Sequence, residues 1–481
     1  MATYNLTQTQ LGIYLACAGA GNEDGNYNLD MLFRLDPEVD LQRLRSSLEA
    51  VIAAHPYVKS RIVEGPDGAP VFEDRSEEDF KVEIQSINTL DEARPRFGAD
   101  YNLLADRLFR LEIYKTETEG NWLYVDFHHI IFDGMSWSVF REDLAKAYDG
   151  AQLEKETVDG FRISLDEEEL RSSDFYREAK DWYVSEFGPA AELDSMPLQD
   201  CFGPEDGHFV KLWQKLDIDL DAAKRLCAEE GVSETALYTS AFGFTLSKFI
   251  CENEVLFTSA WHGRPDRQTR HSFTMMVKTL PVYLNPGSFS TVGDFLRKTG
   301  EQTLLARRYS VYSFADAHED IGINTDVSFV YQGALHDLGI TLGGKPQHAE
   351  SLVTHTPGFK FLGMLMIEDG APYIWSEYKP SCFSENFVKG FWESFAYVVR
   401  QMCSKELLSD IELSTPAQTA VLDSFNASYR APEPGGTVLD AFREAARLHP
   451  DNTAAASGTE NSLTGNSTRN PTASARIFIP R

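Results

Sequence analysis

Cysteine is scarce in this 481-residue chain: there are six, at positions 17, 201, 227, 251, 382 and 403, and none forms a C-x-x-C pair. That spacing is too sparse for a disulfide framework and fits a reducing, cytoplasmic setting. Positive charge is also short. Forty-four Lys and Arg stand against 74 Asp and Glu, a net charge of −30, and such a field repels nucleic-acid phosphates and anionic lipid. Neither is an expected partner. No stretch approaches the roughly 18 uninterrupted apolar residues of a membrane span. The opening MATYNLTQTQLGIYLACAGAG lacks the basic n-region of a secretory signal, so neither export nor membrane spanning is expected.

What is present is ordinary globular material, 42% hydrophobic and 12% aromatic, in a chain long enough to divide into two or more packed units. Leu41, Leu44, Leu48, Val51 and Ile52 recur at helical spacing and stop at His55-Pro56, where proline disfavours continuation. Two extended runs flank Gly65-Pro66-Asp67-Gly68 and predict a hairpin. NWLYVDFHH, residues 121–129, predicts a strand, with Trp122, Tyr124 and Phe127 assigned to core packing. Ser136 is then predicted to cap a helix carrying Trp137, Phe140, Leu144 and Tyr148. Beyond the charged stretch from Asp166 to Arg177, Ser233 predicts a second capped helix and EVLFTSAW a buried strand. Helix and strand alternate in both halves, which predicts α/β layers. Ala431–Gly436 is Pro/Gly-rich and predicts a linker, and the Ser/Thr/Asn-rich run from Ser457 predicts a disordered tail.

The string that carries chemistry is His128-His129-Ile130-Ile131-Phe132-Asp133-Gly134. Adjacent residues at a strand end point to opposite sides, so the two histidines must have different roles. Imidazole suits proton exchange near neutrality, and glycine at the turn lets substrate or backbone approach closely. Asp133 is placed to fix the loop by pairing with a cation or with backbone amides. The plain alternative is a core histidine pair beside a helix-capping aspartate. His262 and His271 lack complementary Cys or His spacing, so ordinary polar or core roles are expected and no metal site.

HHIIFDG matches HHxxxDG, the signature of the condensation-domain superfamily of nonribosomal peptide synthetases, which is similar to chloramphenicol acetyltransferase. Other stretches resemble the same family in order: LTQTQLGIYLA, SSDFYREAKDWYVSEF, GRPD at Gly263–Asp266 and MMVKTLPVYL from Met275. YSFADAHEDIG and TDVSFVYQG stand where its last two motifs belong, though both depart from consensus. The resemblance covers roughly residues 3–430. It implies an α/β fold of two acetyltransferase-like lobes, 1–175 and 176–430, in a V-shaped pseudo-dimer with a central tunnel. A linker and truncated adenylation-domain start (431–456) and a disordered tail (457–481) follow. His129 matches the catalytic histidine and His128 the structural one. Asp133 resembles the loop-fixing aspartate, whose arginine partner is matched by Arg264, and Gly134 completes the motif as an active-site structural residue.

The implied reaction is amide formation between a donor thioester and an acceptor α-amine. Both are delivered on phosphopantetheine arms of donor and acceptor peptidyl carrier proteins, with no cofactor bound directly. A neutral imidazole can take the proton released from nitrogen, and holding two tethered reactants together supplies much of the rate. The Asp133–Arg264 pair is expected to be buried rather than an exposed surface pair. Leu342-Gly343-Gly344-Lys345-Pro346 resembles a carrier-protein site, but Pro346 stands where the modified serine belongs, so a loop is expected. The rival within the superfamily is an epimerization domain, because Ser136-Trp137 and His262-Gly263-Arg264 are similar to strings of that branch. Further alternatives are a non-catalytic remnant or docking module of a truncated synthetase, and acyl transfer from coenzyme A. TVLDAFREAARLHPDNTAA resembles the opening of an adenylation domain, and the stretch after Thr464 can encode a continuing ELDAKSD string in another reading frame. A frameshift truncation, a monomer and carriers acting in trans are therefore expected.

Overall fold

The structure, a computed structural model, describes residues 1–20, 27–204, 208–333, 338–351, 359–427, 436–457 and 460–463. Residues 1–415 and 416–481 form two compact units.

Asp40 shows how the first unit starts its helices. Its carboxylate accepts the Gln42 and Arg43 N–H groups at 2.8 and 3.1 Å, donors that a first helical turn leaves open. The helix Leu41–Ala54 then runs to His55 and Pro56. Its stripe of Leu44, Leu48, Val51 and Ile52 is buried beside the helix Gly134–Tyr148. Both share one core with a six-stranded sheet. The strand order is Ile340–Leu342, Lys345–Ser351, Asn28–Leu35, Asn121–His128, Phe109–Thr116, Glu83–Ile87. The hairpin around Gly65–Gly68 forms between Arg61–Glu64 and Pro70–Glu73, and Thr3–Asn5 pairs with its second strand. The Gly343-Gly344 loop connects the two late strands, each glycine with positive φ. Thus residues 345–351, which follow much of the second half, pair antiparallel with Asn28–Leu35 of the first.

A second six-stranded sheet has the order Lys278–Leu284, Val255–Trp261, Val327–Gly333, Phe361–Glu368, Ala371–Tyr378, Val210–Lys215. The helix Glu234–Phe249, capped by Ser233 on Ala236 N–H at 3.1 Å, packs on this sheet with Glu385–Met402. Its apolar residues point all round because the helix is buried all round, from Ala236 to Ser247. Two sheets, each with its own core, are the α/β architecture that the alternating pattern predicts. Among the described residues no helix is long and apolar enough to cross a membrane.

In the second unit, Thr437 and Asp440 form a capping box at the start of helix Val438–Leu448. Thr453–Ser457 pairs antiparallel with Glu460–Leu463, so the tail expected to be disordered from Ser457 begins with a paired strand instead. A ladder needs only backbone N–H and C=O groups, which a polar run also carries. Residues 464–481 and most of the expected 431–436 linker lie outside the described residues.

Candidate active site

The strand Asn121–His128 is hydrogen-bonded on both sides, which makes its end a fixed platform. His128 N–H donates to Leu108 O at 2.8 Å and His129 N–H to Tyr27 O at 2.7 Å. The chain then turns, with Ile131 N–H donating to His128 O at 3.1 Å. His128 is buried, its ring edge-on to Tyr101 with centroids 5.6 Å apart. Its Nδ1 accepts Ile130 N–H at 3.2 Å, and Cys17 Sγ lies 3.9 Å from Nε2. Burial, helped by the charges of His129 and Arg110, pushes its pKa down to about 3, so His128 stays neutral at any working pH. His129 is partly exposed, while its Nδ1 is buried with no hydrogen-bond partner among the described residues. Nε2 is therefore the ring nitrogen available to an incoming group.

Asp133 has two duties. Its Oδ1 accepts Ser136 N–H at 2.9 Å, making Asp133 the cap of helix Gly134–Tyr148. Ser136, expected as the cap, lies inside the first turn, because the carboxylate three residues earlier already reaches its amide. Arg264 closes on both oxygens of the same carboxylate, Nη1 to Oδ2 at 2.8 Å and Nη2 to Oδ1 at 2.9 Å. Both side chains are completely buried. Further bonds surround the pair: Nη1 donates to His262 O at 3.0 Å, Nη2 to Ser272 O at 3.1 Å and Thr274 O at 3.0 Å, and Met276 N–H donates to Oδ2 at 2.9 Å. Burial alone would raise the Asp133 carboxyl, but the Arg264 charge and these bonds hold it below the usual carboxylate range.

Gly263 makes this junction possible. It sits at φ +70°, and a Cβ there would lie 1.8 Å from Met276 O. His262 Nδ1 accepts Arg264 N–H at 3.0 Å, a polar role in the same turn. Gly134 opens the helix, is exposed, and a Cβ there would meet nothing within 4 Å. The structure thus brings His128, His129, Asp133, Gly134 and Arg264 into one region, although 131 residues separate the charged pair.

Sequence reasoning missed several supports. Gln10, buried, donates through Nε2 to Ile130 O at 3.0 Å and to Tyr57 Oη at 2.9 Å, tying helix Gln8–Ala20 to the histidine turn. The TQ of LTQTQ was the available signal, but its partners are far away in sequence. Ser136 Oγ bridges Asp133 Oδ1 and Thr274 O, both at 3.0 Å. Trp122 and Tyr124 are buried on one face of the strand, and Phe127 packs in the main core on the other.

The chain is also similar to known proteins. The family model "Condensation domain" matches residues 1–422. Bacitracin synthase 3 of Bacillus licheniformis is 23% identical over 475 residues, covering 94% of this chain, and tyrocidine synthase 2 of Brevibacillus parabrevis is 22% identical over 474 residues, also covering 94%. The chain spans only 7% and 13% of those two synthases. Among solved structures, the first condensation domain of the calcium-dependent antibiotic synthetase, in complex with a substrate analogue, superposes with a TM-score of 0.68 at 17% identity, covering 86% of this chain and all of that one. A four-domain nonribosomal peptide synthetase, AB3403, gives a TM-score of 0.75 at 14% identity, covering 99% of this chain and 39% of that one. The paired sheets are therefore the chloramphenicol acetyltransferase-like pseudo-dimer of these proteins. With the family model spanning 422 of 481 residues, the chain belongs to the condensation-domain family, the enzymes that form peptide bonds in nonribosomal peptide synthetases.

Proposed function

We propose that His129 serves the attack of an acceptor α-amine on a donor acyl or peptidyl thioester, each held on a phosphopantetheine arm of a carrier protein. The amine nitrogen bonds to the thioester carbonyl carbon, and the C–S bond breaks. The proton leaving nitrogen passes to His129 Nε2 and onward to the departing sulfur, leaving an amide and a carrier thiol. The observation that carries this reading is the asymmetry of the two rings. His128 is buried, bonded and held neutral, whereas His129 is partly exposed with only Nε2 open. Asp133, Arg264 and Gly134 are assigned structural roles: the first two lock the turn and the third leaves room for the acceptor arm. A thioester is already activated, so holding the amine at the carbonyl contributes alongside proton transfer.

In this reading the two arms enter a channel between the lobes 1–175 and 176–430 from opposite sides. The carriers act in trans on a cytosolic monomer. Relatives match 94% of the chain, beyond the 422 residues of the family model, which supports reading 437–455 as the opening of an adenylation domain. The test is His129→Ala with donor- and acceptor-loaded carriers, read by intact mass of the acceptor carrier. Amide formation should fall by about 100-fold or more with the melting temperature kept. Wild-type rates in the variant would overturn the assignment.

A further inference from the structure

Two residues upstream of His128, on the same face of its strand, lies Asp126, and opposite it in the register is Asp30. Facing residues on neighbouring strands bring their Cβ atoms to about 5 Å. Both side chains are buried, Asp126 completely and Asp30 with 3% exposed. Asp126 Oδ2 accepts Arg110 Nη1 at 2.8 Å and Tyr124 Oη at 3.2 Å. Asp126 Oδ1 and Asp30 Oδ1 have no hydrogen-bond partner among the described residues. Of these two buried carboxylates, Asp126 is bonded directly to the Arg110 guanidinium.

Arg110 carries this arrangement toward the histidines. It also donates to Ala99 O at 2.6 Å and Asp100 O at 3.0 Å, and it stacks 3.9 Å over the Tyr101 ring. Tyr101 Oη donates to Asp126 O at 3.4 Å, and its ring meets His128 edge-on. Tyr124 Oη accepts Gly98 N–H at 2.9 Å, so residues 98–101 are fastened over the acidic pair. His128 in turn accepts the Ile130 N–H that shapes the turn bearing His129.

We propose that Asp126, with Asp30 opposite it, is a positioning residue for the histidine turn, acting through Arg110 and Tyr101 on His128. This rests on the reading of His129 given above. The groups facing the pair are Arg110 from the neighbouring strand, Tyr101 from the covering segment, Tyr124 and His128 from the same strand, and Lys211 from strand Val210–Lys215 of the second sheet. Burial and the charge of Asp126 push Asp30 up to about 7, against the weaker pull of Lys211 and Arg110. Burial also pushes Asp126 up to about 6, against Arg110. Near neutrality the pair passes from one charge to two, and the second charge strains the cover that holds Tyr101.

The test uses the full chain with loaded carriers and reads two quantities: kcat against pH, and hydrogen exchange of the peptide spanning residues 128–132. Asp126→Asn should raise exchange at the Ile130 amide and lower kcat, each by about tenfold, with KM kept, because a loosened turn misplaces His129 without touching substrate binding. Asp30→Asn removes the second charge and should hold kcat and slow exchange above pH 7, where the wild type loses both. If Asp126→Asn does not fold, Tyr101→Leu must give the same rise in exchange, since it deletes the ring contact and leaves the carboxylates. Unchanged exchange in the folded variants, or a pH profile that Asp30→Asn does not shift, would overturn the proposal. Exchange is read without catalysis, so loss of the His129 reading would leave this test able to decide.

Discussion

Arg264 grips both oxygens of Asp133 from 131 residues away, at 2.8 and 2.9 Å, with neither side chain exposed. Because Asp133 also caps the helix that follows the histidine turn, one carboxylate couples a helix start in the first half to a loop in the second. Asp133→Asn leaves the guanidinium buried against a neutral amide whose NH2 faces other donors. Removing one partner of such a pair costs about 3–5 kcal/mol. Urea unfolding should show that loss, and a double-mutant cycle with Arg264→Met should show coupling rather than additivity.

The pH dependence of this pair has a definite sign. Asp133 is held below its unfolded value, so its contribution is present above about pH 4 and is lost only as pH falls through the depressed folded value. Unfolding followed from pH 5 to pH 8 should therefore show no change that Asp133→Asn removes. A change confined to below pH 4 is the expected signature.

Gly263→Ala tests the backbone at the same junction. The residue sits at φ +70° and the new Cβ would fall 1.8 Å from Met276 O. The backbone conformation alone costs about 1–2 kcal/mol, and the clash is with a carbonyl that cannot rotate away. Met276 N–H is also a donor to Asp133, so the shift should disturb the ion pair. Stability should fall by more than 2 kcal/mol, roughly the backbone cost alone, and amide formation should fall with it.

How much of this was legible depended on distance along the chain. His128, His129, Asp133 and Gly134 are contiguous, so their types and order could be read directly. Arg264 could be matched only through the family resemblance, since no local rule pairs residues 131 apart. The helix start was misplaced from Asp133 to Ser136 because both are good caps, and the choice depends on which side chain reaches an amide. Nothing in KPQHAES says that it joins the sheet of Asn28–Leu35, because strand patterning fixes a face and leaves the partner open. The Asp30–Asp126 juxtaposition arises from the same register and was equally invisible.

His55 gives an alkaline prediction. Its Nε2 lies 3.0 Å from Asp143 Oδ2 and its Nδ1 3.2 Å from Glu156 Oε2, with the ring stacked on Phe273. Burial would lower its pKa, but the hydrogen bonds and charges of the two carboxylates raise it to about 9. A raised histidine contributes fully below its unfolded value near 6.5 and loses that contribution as pH rises through 9. The displacement corresponds to about 3 kcal/mol. Wild-type stability should therefore fall between pH 7 and pH 10, and His55→Gln should remove most of that slope. Since Glu156 also accepts Phe273 N–H at 3.0 Å, next to the Ser272 and Thr274 carbonyls that hold Arg264, amide formation should decline over the same range.

Gln10 tests whether the first helix shapes the histidine turn. Its amide is used on both ends: Oε1 accepts Thr7 N–H at 3.0 Å and Thr7 Oγ1 at 3.1 Å, while Nε2 donates to Ile130 O and Tyr57 Oη. Gln10→Ala strands a buried carbonyl at Ile130 and a buried hydroxyl at Tyr57, at about 1–3 kcal/mol for each group left unsatisfied. Because the Ile130 carbonyl lies in the turn, the loss should be kinetic as well as thermodynamic. A displacement of about 1 Å at a reacting group can cost on the order of 100-fold in rate, so kcat should fall by more than the stability change implies. Gln10→Glu is a second variant: its carboxylate keeps an acceptor for Thr7 but sets an oxygen against Ile130 O, so kcat should fall again, together with stability because a charge is then buried. Wild-type kcat in both variants would show that the turn is held by the strand and the Asp133 cap alone.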